Sequence, residues 1–340
     1  MNSNKRSNMN QEPMLQAKNL KKYFNIKGKG MLHAVDDVSF DIYKRETLGL
    51  VGESGCGKST VGNVIMRLTP PTGGELFFEG QDIFNTSREN RLKCSQQMQI
   101  VFQDPFSSLN PKKTILGILE EPFLIQKIAK GKELQARIHE VCDMVELPKS
   151  LLDHYPHELD GGMRQVVGIA RALSINPKLI VCDEPVSSLD VSVQAKIINF
   201  LIDLQKQLGL SYLFISHDLS VVKHISKRVA IMYLGQIVEM ANVDDIFDNT
   251  MHPYAIALLS AVPKVDVEKR VSRILLEGDV PSPINPQPGC RFAPRCWMAR
   301  PECIDNTPEL KEIAPGHSVA CHFANESRVL MAEAATGSLD

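Results

Sequence analysis

The chain lacks any excess of charge: 38 Lys and Arg stand against 40 Asp and Glu, a formal net charge of −2. No global field therefore draws it to nucleic acid, and no nucleic-acid partner is expected. It also lacks a long apolar run. A bilayer needs roughly 18–20 consecutive apolar residues, so the chain is expected not to cross a membrane by itself. The opening MNSNKRSNMNQEP has no apolar centre and reads as a loose tail over residues 1–13, not as a secretion signal. Among eight cysteines no C-x-x-C pair occurs, so the usual structural zinc spacing is missing. Nor is there an internal repeat, which excludes a solenoid.

What is present is ordinary in bulk. The 340 residues, 43% apolar and 23% charged, give room for one large core plus a smaller module. Four short apolar runs, ETLGLVG (46–52), QIVFQD (99–104), LIVCDEP (179–185) and YLFISHD (212–218), end in polar or glycine residues. Buried parallel strands have this form, with functional groups at their carboxyl ends. Between them VQAKIINFLIDLQKQLG (193–209) has helical periodicity with Gly209 as its stop. RVAIMYLGQIVEMA (228–241) has a glycine between two strand-like runs and predicts a hairpin. Beyond about residue 260 the pattern thins, and 280–296 carries five prolines, the chemistry of a linker or loop-rich module.

GESGCGKS, Gly52 to Ser59, fits G-x-x-x-x-G-K-[ST] after a predicted strand and before a predicted helix. Gly52, Glu53, Ser54, Gly55, Cys56 and Gly57 would wrap phosphates with backbone N–H groups, and the helix from Lys58, Ser59 and Thr60 adds its dipole. Lys58 reaches the β- and γ-phosphates, and the Ser59 hydroxyl ligates Mg²⁺. Asp183, ending LIVCD, is placed to hold Mg²⁺ through water, and Glu184 to act as general base on the attacking water. Gln103 ends QIVFQ, where its amide can touch both metal and water. His217 ends FISH, where it can bond the γ-phosphate or the water.

These motifs, in this order and together with LDGGMRQ (159–165), resemble the ATP-binding cassette (ABC) transporter ATPases over roughly residues 14–260. VFQDPFSSLNP (101–111), DEPVSSLDVSVQ (183–194), HPYAIALLSAVP (252–263) and the cysteine-bearing tail are similar to the oligopeptide and dipeptide importer branch. The resemblance implies an α/β P-loop NTPase cassette, a RecA-like core with an antiparallel β subdomain and a helical subdomain. It implies a C-terminal extension over 261–324 and a second loose tail over 325–340. It further implies an ATP hydrolase peripheral to the cytoplasmic side of the cell membrane. Its partners would be two transmembrane permease subunits and an extracellular or periplasmic substrate-binding protein. Two cassettes would face each other head to tail, each ATP held between one phosphate loop and the other's signature turn. An aromatic near the N-terminus would stack on adenine, with Phe24 the better-placed ring and Tyr23 the alternative.

The signature departs from the LSGGQ usual in that family: Leu159, Asp160, Gly161, Gly162, Met163. An aspartate approaches the partner-bound phosphate with like charge. At about 4 Å and an effective dielectric near 20 that repulsion is roughly 4 kcal/mol, against about 1 kcal/mol for a neutral hydrogen bond. This predicts a weakened second ATP site, and hence a non-identical second ATPase as partner. The alternative is that Asp160 simply caps the helix that follows. Arg45 stands at a turn where the family usually has glycine and would be strained if that turn needs positive φ.

Cys290, Cys296, Cys303 and Cys321 crowd the extension. Four thiolates can hold a 4Fe–4S cluster, and the resemblance points the same way; free thiols, zinc or a disulfide are the alternatives. His317 and His322, flanking Cys321, read as structural. The cargo is legible only through the resemblance: peptide, with nickel, glycosides or glutathione as other cargoes. A soluble ABC ATPase, a small-molecule kinase and an iron–sulfur regulatory module explain fewer of these motifs. The loop PFSSLNP beside Gln103 is expected to be the permease-docking patch.

Overall fold

The computed structural model describes residues 12–262 and 274–327, so the two tails lie almost wholly outside the described residues. The chain forms two compact units. One contains Asp41–Thr47 and Leu76–Ile215, with the chain up to Gln16; the other contains Ala17–Phe40, Leu48–Glu75 and the chain from Ser216 onward.

The first unit is built on parallel strands. Met98–Val101 pairs with Leu179–Asp183, which pairs with Ser211–Ser216, in registers such as Val101↔Cys182 and Cys182↔Phe214. Leu179–Asp183 and Ser211–Ser216 are buried at every position, as continuous apolar runs must be when both faces are covered. Beside them lies a helical segment of Ile115–Ile125, Gly131–Met144 and Gly161–Leu173. Val191–Leu208 forms the predicted helix, and Gly209 ends it in the left-handed conformation. Arg45 does carry a positive φ of 60°. Its N–H donates to the Ser211 hydroxyl at 2.8 Å, which holds the strained turn in place.

In the second unit Leu48 to Val51 pair in parallel with Arg228–Tyr233, which turns back on Gln236–Asn242. Leu234 (φ 42°) and Gly235 (φ 86°) make this tight turn, and a Cβ at Gly235 would lie 2.6 Å from the His33 carbonyl oxygen. The sheet then continues into the C-terminal extension. His317–Val319 pairs antiparallel with Gln236–Asn242, Glu239 opposite Val319, and Lys311–Ala314 pairs with His317–Val319. The extension is thus not only the loop-rich module that its prolines suggest. Its strands, four and three residues long, are too short to show alternation in sequence, and their place comes from the neighbouring strand.

Glu239 anchors that extension. Fully buried, it accepts from the Thr250 hydroxyl at 2.9 Å, from the backbone N–H groups of Met251 and His252 at 2.8 Å each, and lies 2.7 Å from His317 Nε2. A buried carboxylate is tolerable only when so surrounded. His317 is the structural residue its sequence position suggests.

Candidate nucleotide site and cysteine cavity

The phosphate loop belongs to the second unit. The strand Thr47–Val51 ends at its threshold and the helix Lys58–Ile65 begins just beyond. Gly57 precedes that helix with φ 107°, and a Cβ there would stand 2.0 Å from the Ala34 carbonyl oxygen, so no side chain fits. Ser54 and Gly55 are exposed while Cys56 and Lys58 are buried. The Lys58 ammonium donates to the carbonyls of Gly52 at 2.9 Å and Glu53 at 3.0 Å, a fixed cation within the loop. Such a loop, with a helix N-terminus and a buried ammonium, is built for a polyanion. Ser59 and Thr60 lie in the first turn of this helix, and His217 is exposed after the strand Ser211–Ser216.

Glu53 is held at each of its handles. Its N–H donates to the Tyr254 hydroxyl at 2.9 Å, and its carboxylate accepts from Arg295 Nη1 at 3.1 Å. Sequence reasoning missed Arg295 and Tyr254. HPYAIALL was legible as a family segment, but nothing local in either stretch marks a phosphate-loop contact.

In the first unit Gln103 and Glu184 meet: Gln103 Nε2 donates to Glu184 Oε2 at 2.9 Å. Asp183 is buried at its strand's end. Glu184 has φ 45°, a conformation that costs a non-glycine residue on the order of 1–3 kcal/mol. Its N–H is tied to the Ile215 carbonyl at 3.0 Å, so the neighbouring strand holds the strained carboxylate in one direction.

The signature turn resolves toward capping. Asp160 Oδ1 accepts from Met163 N at 2.8 Å, the N-cap of the helix Gly161–Leu173. The premise of the predicted asymmetry is weakened, because the carboxylate is bonded to its own helix and the positive end of the helix dipole offsets part of its charge. Leu159 is buried, and a Cβ at Gly162 would lie 2.8 Å from Val193 Cγ1. The same helix reaches the loop after Gln103. Arg164 lies 3.5 Å from the centre of the Phe106 ring and Arg171 donates to the Ser108 carbonyl. Phe106 remains 60% exposed, an apolar face on the loop expected to dock.

The two aromatic candidates separate. Tyr23 is engaged, its ring stacked on His33 at 4.0 Å and its hydroxyl donating to Asp36. Burial and that bond raise its pKa. Phe24 carries Lys22 Nζ 4.7 Å from its ring centre.

Cys290, Cys296, Cys303 and Cys321 line one cavity of about 20 Å³, together with His252 and His322. Burial, helped by the neighbouring thiols, pushes the Cys296 thiol up to about 12 and Cys321 to about 11. Backbone N–H groups of Met298 and Phe323 donate to Cys296 and Cys321 sulfur at 3.4 Å each. All eight cysteines are free. Among the described residues no three His, Cys, Asp or Glu side chains stand close enough together to hold a single metal ion.

Comparison with known proteins agrees with this geometry. A family model described as ABC transporter matches residues 35–187, and one described as oligopeptide/dipeptide transporter, C-terminal region, matches 238–303. The chain is 51% identical over 323 residues to the oligopeptide transport ATP-binding protein AppF of Bacillus subtilis, covering 92% of this chain and 98% of that one. It is 46% identical over 315 residues to the dipeptide transport ATP-binding protein DppF of Haemophilus influenzae, covering 91% and 96%. Among solved structures, a dimeric bacterial ABC transporter cassette matches with a TM-score of 0.61 at 29% identity, covering 68% of this chain and 99% of that one.

Proposed function

The chain belongs to the ABC transporter ATPases, in their oligopeptide/dipeptide branch, and we propose that it hydrolyses ATP to drive peptide import through membrane permease subunits. The observation that carries this reading is the phosphate loop, with the buried Lys58 ammonium set among its carbonyls at the start of a helix. Lys58 and the loop N–H groups bind the phosphates, and Phe24 receives the adenine. Glu184, oriented by Gln103 and its fixed backbone, takes the proton from the attacking water. His217 bonds the γ-phosphate. Mg²⁺, when bound, would supply charge neutralisation at the phosphates. The hydroxyl of Ser59, the carboxylate of Asp183 and the amide of Gln103 are the oxygen donors that such a hard cation prefers.

No helix among the described residues is long and apolar enough to cross a membrane. As the ATPase of a peptide importer, the chain is placed by this reading on the cytoplasmic face, against two permease subunits, with Phe106 and its loop as contact. A substrate-binding protein outside the membrane completes the system. A non-identical second ATPase rested on Asp160 alone. It finds no support among the relatives, and the reading does not include it. Peptide as cargo comes from the relatives' names. The domain limits, a cassette over 14–260 and an extension over 261–324, remain part of the proposal.

The cysteine cavity supports the finer reading of a 4Fe–4S cluster. Four thiols converge on it, and N–H groups already point at two of the sulfurs. Cys290, Cys296, Cys303 and Cys321 would be the cluster's four ligands. Anaerobic purification with iron and acid-labile sulfide assay tests this, and colourless, iron-free protein rejects it.

Substituting Glu184→Gln in the transporter assembled with its permeases tests the main reading. Trapped ATP with no hydrolysis and no peptide uptake is expected. Uptake at the wild-type rate would sink it.

A further inference from the structure

An acid inside a phosphate-binding loop needs an explanation. Glu53 is the second residue of the loop, its side chain 31% exposed, where a polyanion is to bind. Its neutralising cation comes from the C-terminal extension. Arg295, only 8% exposed, places Nη1 at 3.1 and 3.4 Å from the two carboxylate oxygens and 3.4 Å from the Tyr233 hydroxyl. The backbone behind that guanidinium is hydrogen-bonded. Arg295 closes the turn Ala293–Arg295, with Ala293 N bonded to Cys290 O at 3.0 Å and Cys296 N to Ala293 O at 3.2 Å. Phe292 beside it packs on Tyr233 and Tyr254 at ring distances of 5.3 and 5.5 Å, and Tyr254 is the residue that receives the Glu53 N–H.

A second contact points the same way. A cavity of about 190 Å³ has Glu53, Ser54 and Gly55 on one side and the extension's Val280, Pro281 and Pro283 on another. That segment is pinned: His33 N donates to Pro283 O at 3.0 Å, and Asn285 N to Met31 O at 2.8 Å. The extension therefore both walls the space before the phosphate loop and cancels the one negative charge within it.

We propose that Arg295 is a positioning residue for ATP binding: it neutralises and orients Glu53, and so makes the C-terminal extension a working part of this chain's own phosphate site. The proposal rests on the ATPase reading above. Without the guanidinium, the Glu53 carboxylate faces the triphosphate unpaired, and repulsion between like charges weakens binding. The chemistry of the bound state is untouched, so the effect falls on affinity and not on turnover at saturation. The turn that carries Arg295 begins after Cys290 and ends at Cys296, two of the cavity thiols.

The test is equilibrium binding of MgATP to the full chain, read by displacement of a fluorescent ATP analogue, with steady-state hydrolysis alongside. Arg295→Ala is expected to raise Kd and KM about tenfold with kcat at saturation unchanged. Arg295→Lys should stay within about threefold of wild type, since it keeps the charge. The deciding variant is Arg295→Ala combined with Glu53→Gln. Removal of the stranded carboxylate should return the affinity to within about threefold of Glu53→Gln alone, a rescue that a merely structural arginine would not show. Should Arg295→Ala fail to fold, Arg295→Met retains the packed stem and takes its place. A correctly folded Arg295 variant that binds MgATP as tightly as wild type overturns the proposal, as does absence of rescue in the double variant. Wild-type protein that binds no ATP would instead overturn the ATPase reading itself.

Discussion

The phosphate loop and the signature turn each place a carboxylate among glycines at the approach to a helix. Asp160 stands immediately before the helix Gly161–Leu173, and Glu53 five residues before the helix Lys58–Ile65. Both turns are expected to meet phosphate, and in both the acid is an electrostatic liability. Asp160 is satisfied locally, by a hydrogen bond to Met163 three residues on. Glu53 is satisfied at long range, by an arginine 242 residues away. A capped aspartate keeps its full formal charge and merely shares it with a helix terminus. A paired glutamate loses its field to a guanidinium a few ångströms off. The phosphate loop is therefore the better-neutralised of the two, and it depends on the extension for that.

The largest expected effects come from abolishing each half's chemistry. Glu184→Gln should lower hydrolysis by about 10²–10⁴-fold while ATP still binds, and Lys58→Ala should remove ATP binding, both measured by nucleotide binding beside phosphate release. Detaching the extension should come next. Glu239→Ala strands buried donors on Thr250, Met251, His252 and His317, and should lower stability by about 3 kcal/mol in urea unfolding. ATP affinity should fall with it if the long-range pair matters, and an unchanged affinity would set the two turns level again.

The signature turn should respond less. Asp160→Ala loses the cap and about 1 kcal/mol of stability, whereas Asp160→Asn keeps a capping oxygen and removes the charge. If capping is the main role, ATP turnover of the assembled transporter should change by less than about twofold in Asp160→Asn. A several-fold rise would show that the charge reaches ATP and would restore the asymmetric reading.

The smallest effect concerns pH. Asp36 sits beside Arg291, Tyr23 and His33, as Glu53 sits beside Arg295. Burial alone would raise its pKa, but the bonds from Tyr23 and His33 and the charge of Arg291 outweigh this and hold it below its ordinary 3.8. The unfolded chain therefore takes up this proton first. The stabilisation is complete above about pH 4 and is lost as pH falls through the folded value. Asp36→Asn should flatten that part of the acid-unfolding curve.

The parallel strands, the helix over Val191–Leu208, the hairpin and the phosphate loop were legible because each is written in contiguous residues. Their apolar runs, glycines and caps act over one to five positions. The cap at Asp160 was legible for the same reason, although the charge argument first obscured it. The short strands of the extension were not, since three or four residues carry no period of their own. The register of NLKKYF already favoured Phe24 over Tyr23, but the engagement of Tyr23 by His33 and Asp36 is a matter of packing that no register shows.

Sequence alone marked the glycine turns, the acid that ends a buried strand and the cap available to the helix after Asp160, because backbone geometry dictates contacts between near neighbours. Tertiary structure decided which charges are cancelled. Gln103 on Glu184, four donors around Glu239, four thiols around one cavity and Arg295 on Glu53 all depend on how segments distant in sequence pack. No spacing rule reaches across 242 residues to say that an arginine between two cysteines completes a phosphate loop.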